Sequence, residues 1–582
     1  MRLEDYWGVG PKTSALLESE LGVEAAVAAI ESADSRALMA AGLSRGRATR
    51  ILRRANGGEG MGVLATGDTR EVYRDLLRLA REFAVTRHAA DQIRVLTPLN
   101  DREAMTDRLD DVLLARDSWA GLDDATRSDV LAAFDEYDSI EGGERAAVEA
   151  ALALLDAGVE DGVFAPLADL DADALRDAAD ALAHLDGGSV REGADRKLDR
   201  LRDTLDAVEA MESDVFDVLE TVREGGVRGT DEFREAFVQY VTTETDVSRE
   251  AVRDAMAADP QDAADFVSTT LRELAGDVRE RFTERKAEVT VDLQGTIEDA
   301  RDDVDAAVTA VDDLAFHVSL ARFALAHDLT RPTFVEDRET VAVVNARNLS
   351  LAAAEDERVQ PVTYAVGDHE TGGPAPSGDR VAVLTGANSG GKTTLLETLA
   401  QVSLLAQMGL PVPADAAEVS VVDAVVFHRR HASFNAGVLE STLRSIVPPL
   451  TDASRTLMLV DEFEAITEPG SAADLLHGLV RLTVDRDAMG VFVTHLADDL
   501  APLPDAARTD GIFAEGLNAD LELQVDYQPR FDTVGKSTPE FIVSRLVAGA
   551  GSRSERSGFE TLAEAMGQDV VQRTLADARW TE

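Results

Sequence analysis

The chain contains no cysteine and very little lysine. Without cysteine it can form neither a disulfide nor a thiolate metal site. Among 582 residues, Asp and Glu number 110 against 57 basic residues, which gives a formal net charge of −53. Such acidity with so little lysine is typical of adaptation to a salt-rich cytoplasm, where a strongly hydrated surface stays soluble. Only five lysines are present: Lys12, Lys197, Lys286, Lys392 and Lys536.

Long apolar runs are also missing. No uncharged stretch reaches the ~18 residues that would span a bilayer, and the start, MRLEDYWGVG, lacks the apolar segment of a secretion signal. We therefore expect a cytoplasmic protein with no membrane partner. The acidity does not exclude nucleic acid as a partner, because charges at molar salt are screened over about 3 Å. Local patches of charge decide that question instead.

Residues 65–330 have the pattern of long helices. Apolar residues recur every three or four positions between 196 and 222, and again between 289 and 318. This spacing predicts helices that pack side by side. Breaks rich in Gly, Pro and Asp lie between the two runs and predict a tip at about 223–268. Apolar residues at this spacing serve packing, so they indicate rigid arms and no chemistry by themselves.

Residues 331–555 show a different pattern. Short β-rich segments come first, and the later runs TLMLVDEF and MGVFVTHL are the continuous apolar stretches of buried strands that alternate with helices. This region predicts an α/β layer with a mostly parallel sheet, followed at 556–582 by a C-terminal helix and charged tail. The predicted fold class is therefore multidomain, α and α/β.

One loop in the α/β region has the pattern G-x-x-x-x-G-K-[ST], after a predicted strand and at the start of a predicted helix. Its glycines let backbone N–H groups turn inward onto phosphates, and the helix N-terminus adds positive potential. We expect Lys392 to reach the β- and γ-phosphates of ATP and the Thr393 hydroxyl to bind Mg²⁺. The alternative is a glycine-rich strand-to-helix turn with a chance lysine. The residues expected to bind the nucleotide here are Gly386, Ala387, Asn388, Ser389, Gly390, Gly391, Lys392, Thr393 and Thr394.

Three further polar residues follow predicted buried strands. Asp461 and Glu462 come after LMLV, at the strand end where α/β sheets bind ligands. Asp461 is expected to hold Mg²⁺, and Glu462 to act as the general base that polarises the attacking water. His495 follows MGVFVT and is expected to donate a hydrogen bond to the γ-phosphate. The alternatives are an acidic strand end in a very acidic protein and a structural histidine.

These segments resemble the ATPase of the MutS mismatch-repair family, and more narrowly its archaeal MutS2 branch. The resemblance rests on GANSGGKTTLLETLAQVSLLAQMGLPVPA, LMLVDEFEAITEP and VFVTHL, with weaker likeness across roughly 65–550. It implies an ABC-type phosphate-loop ATPase behind a helical core with lever helices. Asn388 matches the loop asparagine of the family. VLESTLRSI stands at the family's Ser-Thr signature, which implies that Ser441 reaches the nucleotide of a second subunit. The alternative for Ser441 is a helix N-cap.

The resemblance implies a homodimer that encloses ATP and Mg²⁺ and closes its levers on DNA. This sequence departs from the family in several places. Phe463 to Ile466 replace a glycine-rich turn, which puts communication between subunits through that loop in doubt, and Asn348-Leu349 replace a His-Pro pair. We recognise neither a mismatch-reading domain nor the nuclease-type domain of many bacterial relatives. We therefore expect ATP hydrolysis, no nuclease activity and no mismatch specificity.

Residues 1–58 differ from the rest of the chain. The stretch 35–58 contains six arginines and no acidic residue. LEDYWGVGPKTSALLESELG resembles a helix-hairpin-helix, and AAGLSRGRATR resembles a weaker second copy. The turn glycines would let backbone N–H groups approach a DNA phosphate without a Cβ clash, so that binding is largely independent of sequence. The alternative is a small helical protein-docking domain. The DNA-binding residues expected here are Gly8, Gly10, Lys12, Arg45, Arg47 and Arg50.

The sequence thus predicts a homodimeric, Mg²⁺- and ATP-dependent protein that binds double-stranded or branched DNA, with a role in DNA repair or recombination. A ribosome- or RNA-associated ATPase is the first alternative, since some bacterial relatives are thought to act there. A structural ATPase resembling chromosome-organising cassette proteins is a weaker one, because those have far longer coiled coils. Arg223, Arg228 and Arg234 at the predicted tip lie among many acidic residues, so DNA contact there is an open question.

Overall fold

The computed structural model describes most of the chain in twelve ranges and two single residues. The described residues are 3, 6, 9–31, 34–55, 60–140, 143–186, 189–224, 229–354, 359–386, 391–430, 436–466, 469–517, 523–535 and 539–566. Two compact units are present. The first comprises residues 1–127, 161–163 and 313–582, and the second comprises 128–160 and 164–312. The predicted helical core, 65–330, therefore contributes to both units.

Four helices form the N-terminal part of the first unit. They bury a small core of their own that includes Leu17, Ile30 and Ile51. Asp34 caps the third helix by accepting from the backbone N–H groups of its first turn. The helices are α1 (Pro11–Glu20), α2 (Val23–Glu31), α3 (Ser35–Ala40) and α4 (Arg45–Ala55).

Four more helices follow, and threonine or aspartate caps begin three of them. Thr66 caps the first of these and also donates 2.6 Å to the Phe427 carbonyl oxygen, while Thr69 donates 2.9 Å to that of Val425. Both hydrogen bonds satisfy carbonyls of an edge strand of the main sheet described below. The helices are α5 (Gly67–Arg81), α6 (Arg87–Val95), α7 (Arg102–Gly121) and α8 (Asp124–Ser139).

The second unit is helical, as the apolar spacing predicts. One core packs Leu205 and Val208 against Phe266 and Leu274. The apolar stripe predicted over 289–318 is not one helix, because it is divided at Ala300. The elements are α9 (Glu144–Asp156), α10 (Ala172–His184), β1 (Leu185–Asp186), β2 (Ser189–Val190), α11 (Arg196–Ser213), α12 (Val215–Glu224), α13 (Thr230–Glu244), α14 (Arg249–Asp254), α15 (Ala263–Asp299) and α16 (Arg301–Ala326), the last of which continues into the first unit.

The remaining elements carry the α/β layer. The strands are β3 (Thr333–Val335), β4 (Thr340–Ala346), β5 (Val362–Gly367), β6 (Val381–Gly386), β7 (Ala416–Ser420), β8 (Ala424–His428), β9 (Thr456–Asp461), β10 (Met489–Val493), β11 (Ala507–Leu517) and β12 (Leu523–Arg530). The helices are α17 (Leu349–Ala354), α18 (Lys392–Gln407), α19 (Ala436–Asp452), α20 (Pro469–Asp485), α21 (Pro539–Gly549) and α22 (Arg553–Met566). Short 3₁₀ turns lie at Gly60–Val63, Gly162–Leu167, Phe463–Ile466 and Ala497–Leu500.

The main sheet has six strands in the order β12-β11-β6-β10-β9-β8. All neighbouring pairs are parallel except the antiparallel pair β11 and β12. A second sheet has the order β3-β7-β4-β5. Successive residues of the central strands point to opposite faces, so that Leu384 joins one apolar core and Val383 another. The mostly parallel sheet predicted from the continuous apolar runs is confirmed.

Parallel pairing brings several strand ends to one edge of the main sheet. In register, Asp461 at the end of β9 pairs with Val493 of β10, and His428 at the end of β8 pairs with Val460. The phosphate loop leaves β6 at Gly386, whose φ of +126° and closeness to Ile512 require a residue without Cβ. The carboxyl ends of β6, β8, β9 and β10 therefore lie along one edge of the sheet although they are far apart in sequence.

Candidate nucleotide site and nucleic-acid interface

The phosphate loop joins β6 to α18, as its spacing predicts. Ala387, Asn388, Ser389 and Gly390 lie outside the described residues. Gly391 has a φ of +73°, and a Cβ there would lie 2.9 Å from the Tyr527 ring. The loop therefore turns into α18 through a left-handed residue that only glycine fits without strain.

Lys392 is the first residue of α18 and is buried. Its Nζ donates 2.9 Å to the Gly386 carbonyl oxygen, so the side chain folds back across the mouth of the loop. Burial lowers the pKa of Lys392, while the carboxylates of Glu462, Asp461 and Glu464 act in the opposite direction. Those carboxylates favour the charged form of the buried lysine.

Thr393 and Asp461 are hydrogen bonded. The Thr393 hydroxyl donates 2.7 Å to Asp461 Oδ2, which links the start of α18 to the end of β9. Asp461 is 3% exposed, and its Oδ1 has no hydrogen-bond partner within the described part of the chain. Burial raises the pKa of Asp461. A buried carboxylate oxygen without a partner, beside a threonine hydroxyl, fits the oxygen ligands that Mg²⁺ prefers in nucleotide sites.

Mg²⁺ is commonly held by one or two carboxylates or hydroxyls together with substrate phosphates and water. The site fits that pattern, since Thr393 and Asp461 supply two protein oxygens. No cluster of three or more His, Cys, Asp or Glu residues with metal-ligand geometry occurs among the described residues. Two protein oxygens suit a metal whose remaining ligands come from a nucleotide and water. They suit less well a metal that the protein alone would hold.

Glu462 follows β9 and has a left-handed backbone, with φ of +41°. Its N–H donates 3.0 Å to the Val493 carbonyl oxygen, which fixes the turn beside β10. Its Oε1 lies 3.1 Å from His495 Nε2, so a ring N–H donates to the carboxylate. This hydrogen bond is the main reason that the pKa of Glu462 is lowered. The structure thus brings the two predicted catalytic residues together.

Arg430 and Glu464 belong to this site as well, and the sequence patterns did not indicate either one. Arg430 Nη1 lies 2.6 Å from Glu462 Oε2. Glu464 Oε1 accepts from the Thr494 hydroxyl at 3.0 Å and from the His495 N–H at 2.6 Å. The segment Phe463–Ile466 that replaces the family's glycine-rich turn is a 3₁₀ turn, and its glutamate ties the end of β9 to the end of β10.

Tyr527, on β12, is a third residue that the patterns did not indicate. The residue is 41% exposed, and its ring lies beside Gly391, 2.9 Å from where a Cβ of that residue would be. An aromatic face is therefore available beside the phosphate loop. Asn348, which replaces the family's histidine, has a structural role: its Oδ1 accepts 3.0 Å from the Leu351 N–H and its Nδ2 donates 3.3 Å to Thr398.

Ser441 lies within α19 and is exposed, whereas the next residue, Thr442, is buried. Because α19 begins at Ala436, Ser441 lies inside the helix and is not its N-cap. Thr394, the last residue predicted for the loop, is half-buried in the first turn of α18, where its carbonyl oxygen accepts 2.8 Å from Thr398. The predicted contacts of Ser441 and Thr394 with a nucleotide remain predictions.

In the N-terminal region, a side-chain hydrogen bond links the first turns of α1 and α4. Arg47 Nη2 donates 2.5 Å to the hydroxyl of Thr13, which is buried in the first turn of α1. Gly10 precedes α1 without a side-chain cap, and the first turns of α1 and α4 both lack acidic residues. The hydrogen bond thus links the first turns of two helices, each of which carries the positive end of a helix dipole.

The basic residues predicted for DNA lie around this pair of turns. Lys12, Arg47 and Arg50 are exposed, and Arg50 Nε donates 3.1 Å to the Gly46 carbonyl oxygen. Arg45 is the first residue of α4, but its side chain is not described, and Gly8 lies outside the described residues. Ser35 donates 2.8 Å to Asp91 of α6, which attaches the region to the rest of the first unit.

At the predicted tip, in the second unit, Arg223, Arg234, Phe233 and Phe266 line an open pocket of about 490 Å³. Arg234 stacks over the Phe266 ring with 5.4 Å from the guanidinium carbon to the ring centroid. Arg228 lies outside the described residues. Within the described part of the chain, no helix is both long enough and apolar enough to cross a lipid bilayer.

Comparison with known proteins agrees with this site. The MutS domain V family matches residues 382–508. The chain is similar to the DNA-binding protein MutS2 of Pyrococcus furiosus, with 41% identity over 235 residues, or 40% of each chain. It is also similar to proteins named endonuclease MutS2: that of Thermus thermophilus at 32% identity, over 29% of this chain and 23% of that one, and that of Clostridium botulinum at 27% identity, over 54% and 40%.

These matches span about two fifths or less of the relatives' own length. The MutS domain V match at residues 382–508 covers the phosphate loop, Asp461, Glu462 and His495. Residues 382–508 therefore match MutS domain V, and the chain is similar, over part of its length, to proteins named MutS2.

Proposed function

We propose that this protein is a Mg²⁺-dependent ATPase that binds double-stranded DNA largely independently of sequence. The observation that carries the ATPase is the hydrogen bond of 2.7 Å between Thr393 and Asp461, beside a buried Asp461 oxygen without a described partner. Thr393 and Asp461 would hold the metal, which would neutralise charge on the phosphates. Lys392 would bind the β- and γ-phosphates from the mouth of the loop.

Glu462 would orient and polarise the attacking water. The bond between the water oxygen and the γ-phosphorus forms while the bond from that phosphorus to the β–γ bridging oxygen breaks. The proton from water passes to Glu462, and ADP and phosphate leave. His495 would hold Glu462 in place and lie close enough to sense the departing phosphate, with Glu464 fixing the His495 backbone at 2.6 Å.

The proposal of DNA as a partner rests on the paired first turns of α1 and α4. Phosphate groups would meet two helix N-termini, exposed Lys12, Arg47 and Arg50, and no acidic residue in either turn. Groups of this kind contact the backbone and read no bases. The relative in Pyrococcus furiosus is named a DNA-binding protein, which favours the same partner. A role in repair or recombination, with duplex or branched DNA as substrate, follows from this proposal.

The homodimer is part of the same proposal. Ser441 is exposed on α19 and would reach the nucleotide of the partner subunit. Mixing two inactive variants tests this arrangement, because a shared site takes Lys392 from one subunit and Ser441 from the other. Lys392→Ala mixed with Ser441→Ala should regain part of the wild-type turnover, since one site of each mixed dimer is intact. A mixture no more active than either variant alone would contradict a shared site.

The ATPase and DNA proposals are tested together with the full chain in high salt, which suits so acidic a protein. Phosphate release should require Mg²⁺, and Glu462→Gln should bind ATP while turnover falls by about 10²- to 10⁴-fold. Binding of labelled duplex DNA can be followed by fluorescence anisotropy. Unlabelled plain duplex should compete for this binding better than structured RNA does. Stronger competition by the RNA would favour a ribosome- or RNA-associated ATPase instead.

A further inference from the structure

Both carboxylate oxygens of Glu462 are occupied. His495 Nε2 lies 3.1 Å from Oε1, and Arg430 Nη1 lies 2.6 Å from Oε2. The shorter contact is a charge-assisted hydrogen bond and is the stronger kind. While both contacts are in place, neither oxygen of Glu462 is free to accept a hydrogen bond from an attacking water without competition from His495 or Arg430.

The two members of this ion pair differ in their freedom to move. The Glu462 side chain is 10% exposed, and its backbone is held in the left-handed region by a hydrogen bond to Val493. The Arg430 side chain is 55% exposed. If the pair breaks, Arg430 is the residue that moves.

Arg429, the residue before Arg430, is held by a different set of partners. The Arg429 N–H donates 2.8 Å to Asp68 Oδ2, and its guanidinium pairs with Glu397 at 3.2 Å and stacks over Phe427 at 5.3 Å. Arg429 is therefore attached to α5 and α18. Among the described residues, Glu462 is the carboxylate that Arg430 pairs with. Arg429 therefore pairs with residues of neighbouring helices, whereas Arg430 pairs with the proposed catalytic base.

We propose that Arg430 is a positioning residue that restrains Glu462, and that release of Glu462 Oε2 by Arg430 is required before water can be activated. This inference rests on the proposed function, because it assigns a role within ATP hydrolysis. Hydrolysis would then be slow until the guanidinium moves away, which gives the site a low basal rate. His495 remains bonded to the other oxygen and keeps Glu462 oriented after release.

The test compares steady-state ATP hydrolysis by the full chain without DNA. Arg430→Ala should raise kcat about 2- to 5-fold, the range that a part-exposed ion pair supports, with KM for ATP unchanged. Arg430→Lys keeps the charge but loses the planar fork, so its kcat should lie between those of wild type and Arg430→Ala. Arg556→Ala is a matched control, since it removes an exposed arginine that pairs with Glu560 at 3.2 Å on α22.

A double variant shows whether the effect passes through Glu462. In a Glu462→Gln background, Arg430→Ala should not raise kcat, because the base that Arg430 restrains is absent. A fall in kcat for Arg430→Ala, an unchanged kcat, or an increase that persists in the Glu462→Gln background would overturn the proposal. If the wild type shows no Mg²⁺-dependent hydrolysis at all, the proposed function fails; if it hydrolyses ATP and Arg430→Ala is not faster, this inference alone fails.

Discussion

The Thr393 hydroxyl donates a hydrogen bond of 2.7 Å to Asp461 Oδ2, although 68 residues separate them in sequence. This contact joins the start of α18, just after the phosphate loop, to the end of β9. Asp461 Oδ1 remains buried and without a hydrogen-bond partner among the described residues. A buried carboxylate left in this way is costly unless a cation or donor completes it, which is why we assign the metal here.

Replacement of Asp461 should weaken the binding of Mg²⁺ more than the binding of nucleotide. Asp461→Asn keeps the shape of the side chain and removes its charge, so the Mg²⁺ concentration for half-maximal hydrolysis should rise at least ~10-fold. Nucleotide binding measured without Mg²⁺ should be nearly unchanged. An unaltered Mg²⁺ requirement would show that the metal is held elsewhere.

Tyr527 should contribute to nucleotide affinity through its exposed ring beside Gly391. Stacking of a base on an aromatic side chain is worth about 1–3 kcal/mol. Tyr527→Ala should therefore raise the Kd for ATP about 10-fold, while Tyr527→Phe, which keeps the ring, should leave it close to wild type. Equal affinities for all three proteins would exclude the ring from the nucleotide site.

Arg47 should contribute to DNA binding through both its charge and its hydrogen bond to Thr13. Arg47→Ala should weaken duplex binding uniformly across sequences and reduce the salt dependence of the affinity by about one phosphate contact. Arg78→Ala provides the control, because Arg78 is an exposed arginine on α5 that pairs with Asp75 and Glu82.

Thr13→Val separates the two contributions of Arg47, since it removes the hydrogen bond but keeps the arginine. We expect its salt dependence to match that of the wild type. If Arg47→Ala and Arg78→Ala weaken DNA binding equally, the paired turns of α1 and α4 are not the interface.

Asp195 should make the second unit sensitive to acid. It caps α11 by accepting 2.7 Å from the Leu198 N–H, and both its oxygens pair with Arg285 of α15 at 3.0 and 2.8 Å. The Arg285 hydrogen bonds hold the pKa of Asp195 at about 2, below its usual value. A lowered carboxyl pKa contributes stability that is fully present above about pH 4 and is lost as the pH falls toward 2.

Asp195→Asn keeps a good N-cap side chain but removes the charge that pairs with Arg285, so it should destabilise the second unit at neutral pH. The difference from wild type should shrink as the pH falls from about 4 toward 2. Denaturant unfolding followed between those pH values checks this, with Asp199→Asn on the same helix as a comparison. A difference that stays constant with pH would show that the ion pair does not contribute to stability.

Part of the site follows from local sequence and part does not. The phosphate loop, Asp461, Glu462 and His495 could be predicted because each follows an apolar strand, and parallel strands end at one edge of a sheet. The break at Ala300 could not, because the apolar stripe continues on both sides of it. The match of residues 382–508 to MutS domain V agrees with the α/β part of the prediction.

Arg430, Glu464 and Tyr527 were missed for one physical reason. Each acquires its role from pairing between strands that are distant in sequence: β8 lies beside β9, the 3₁₀ turn after β9 lies beside the end of β10, and β12 brings Tyr527 to the loop. A single arginine or tyrosine has no characteristic spacing from the phosphate loop, so no local pattern could indicate it. Strand order had to be known first.

The central claim is that this loop hydrolyses ATP, and single-turnover phosphate release by the wild type and Lys392→Ala tests it most directly. With Mg²⁺ present and DNA absent, the wild type should release phosphate, and Lys392→Ala should be slower by about 10²- to 10³-fold, as expected when a donor to the developing phosphate charge is lost. Equal rates for the two proteins, with both folded, would contradict the account.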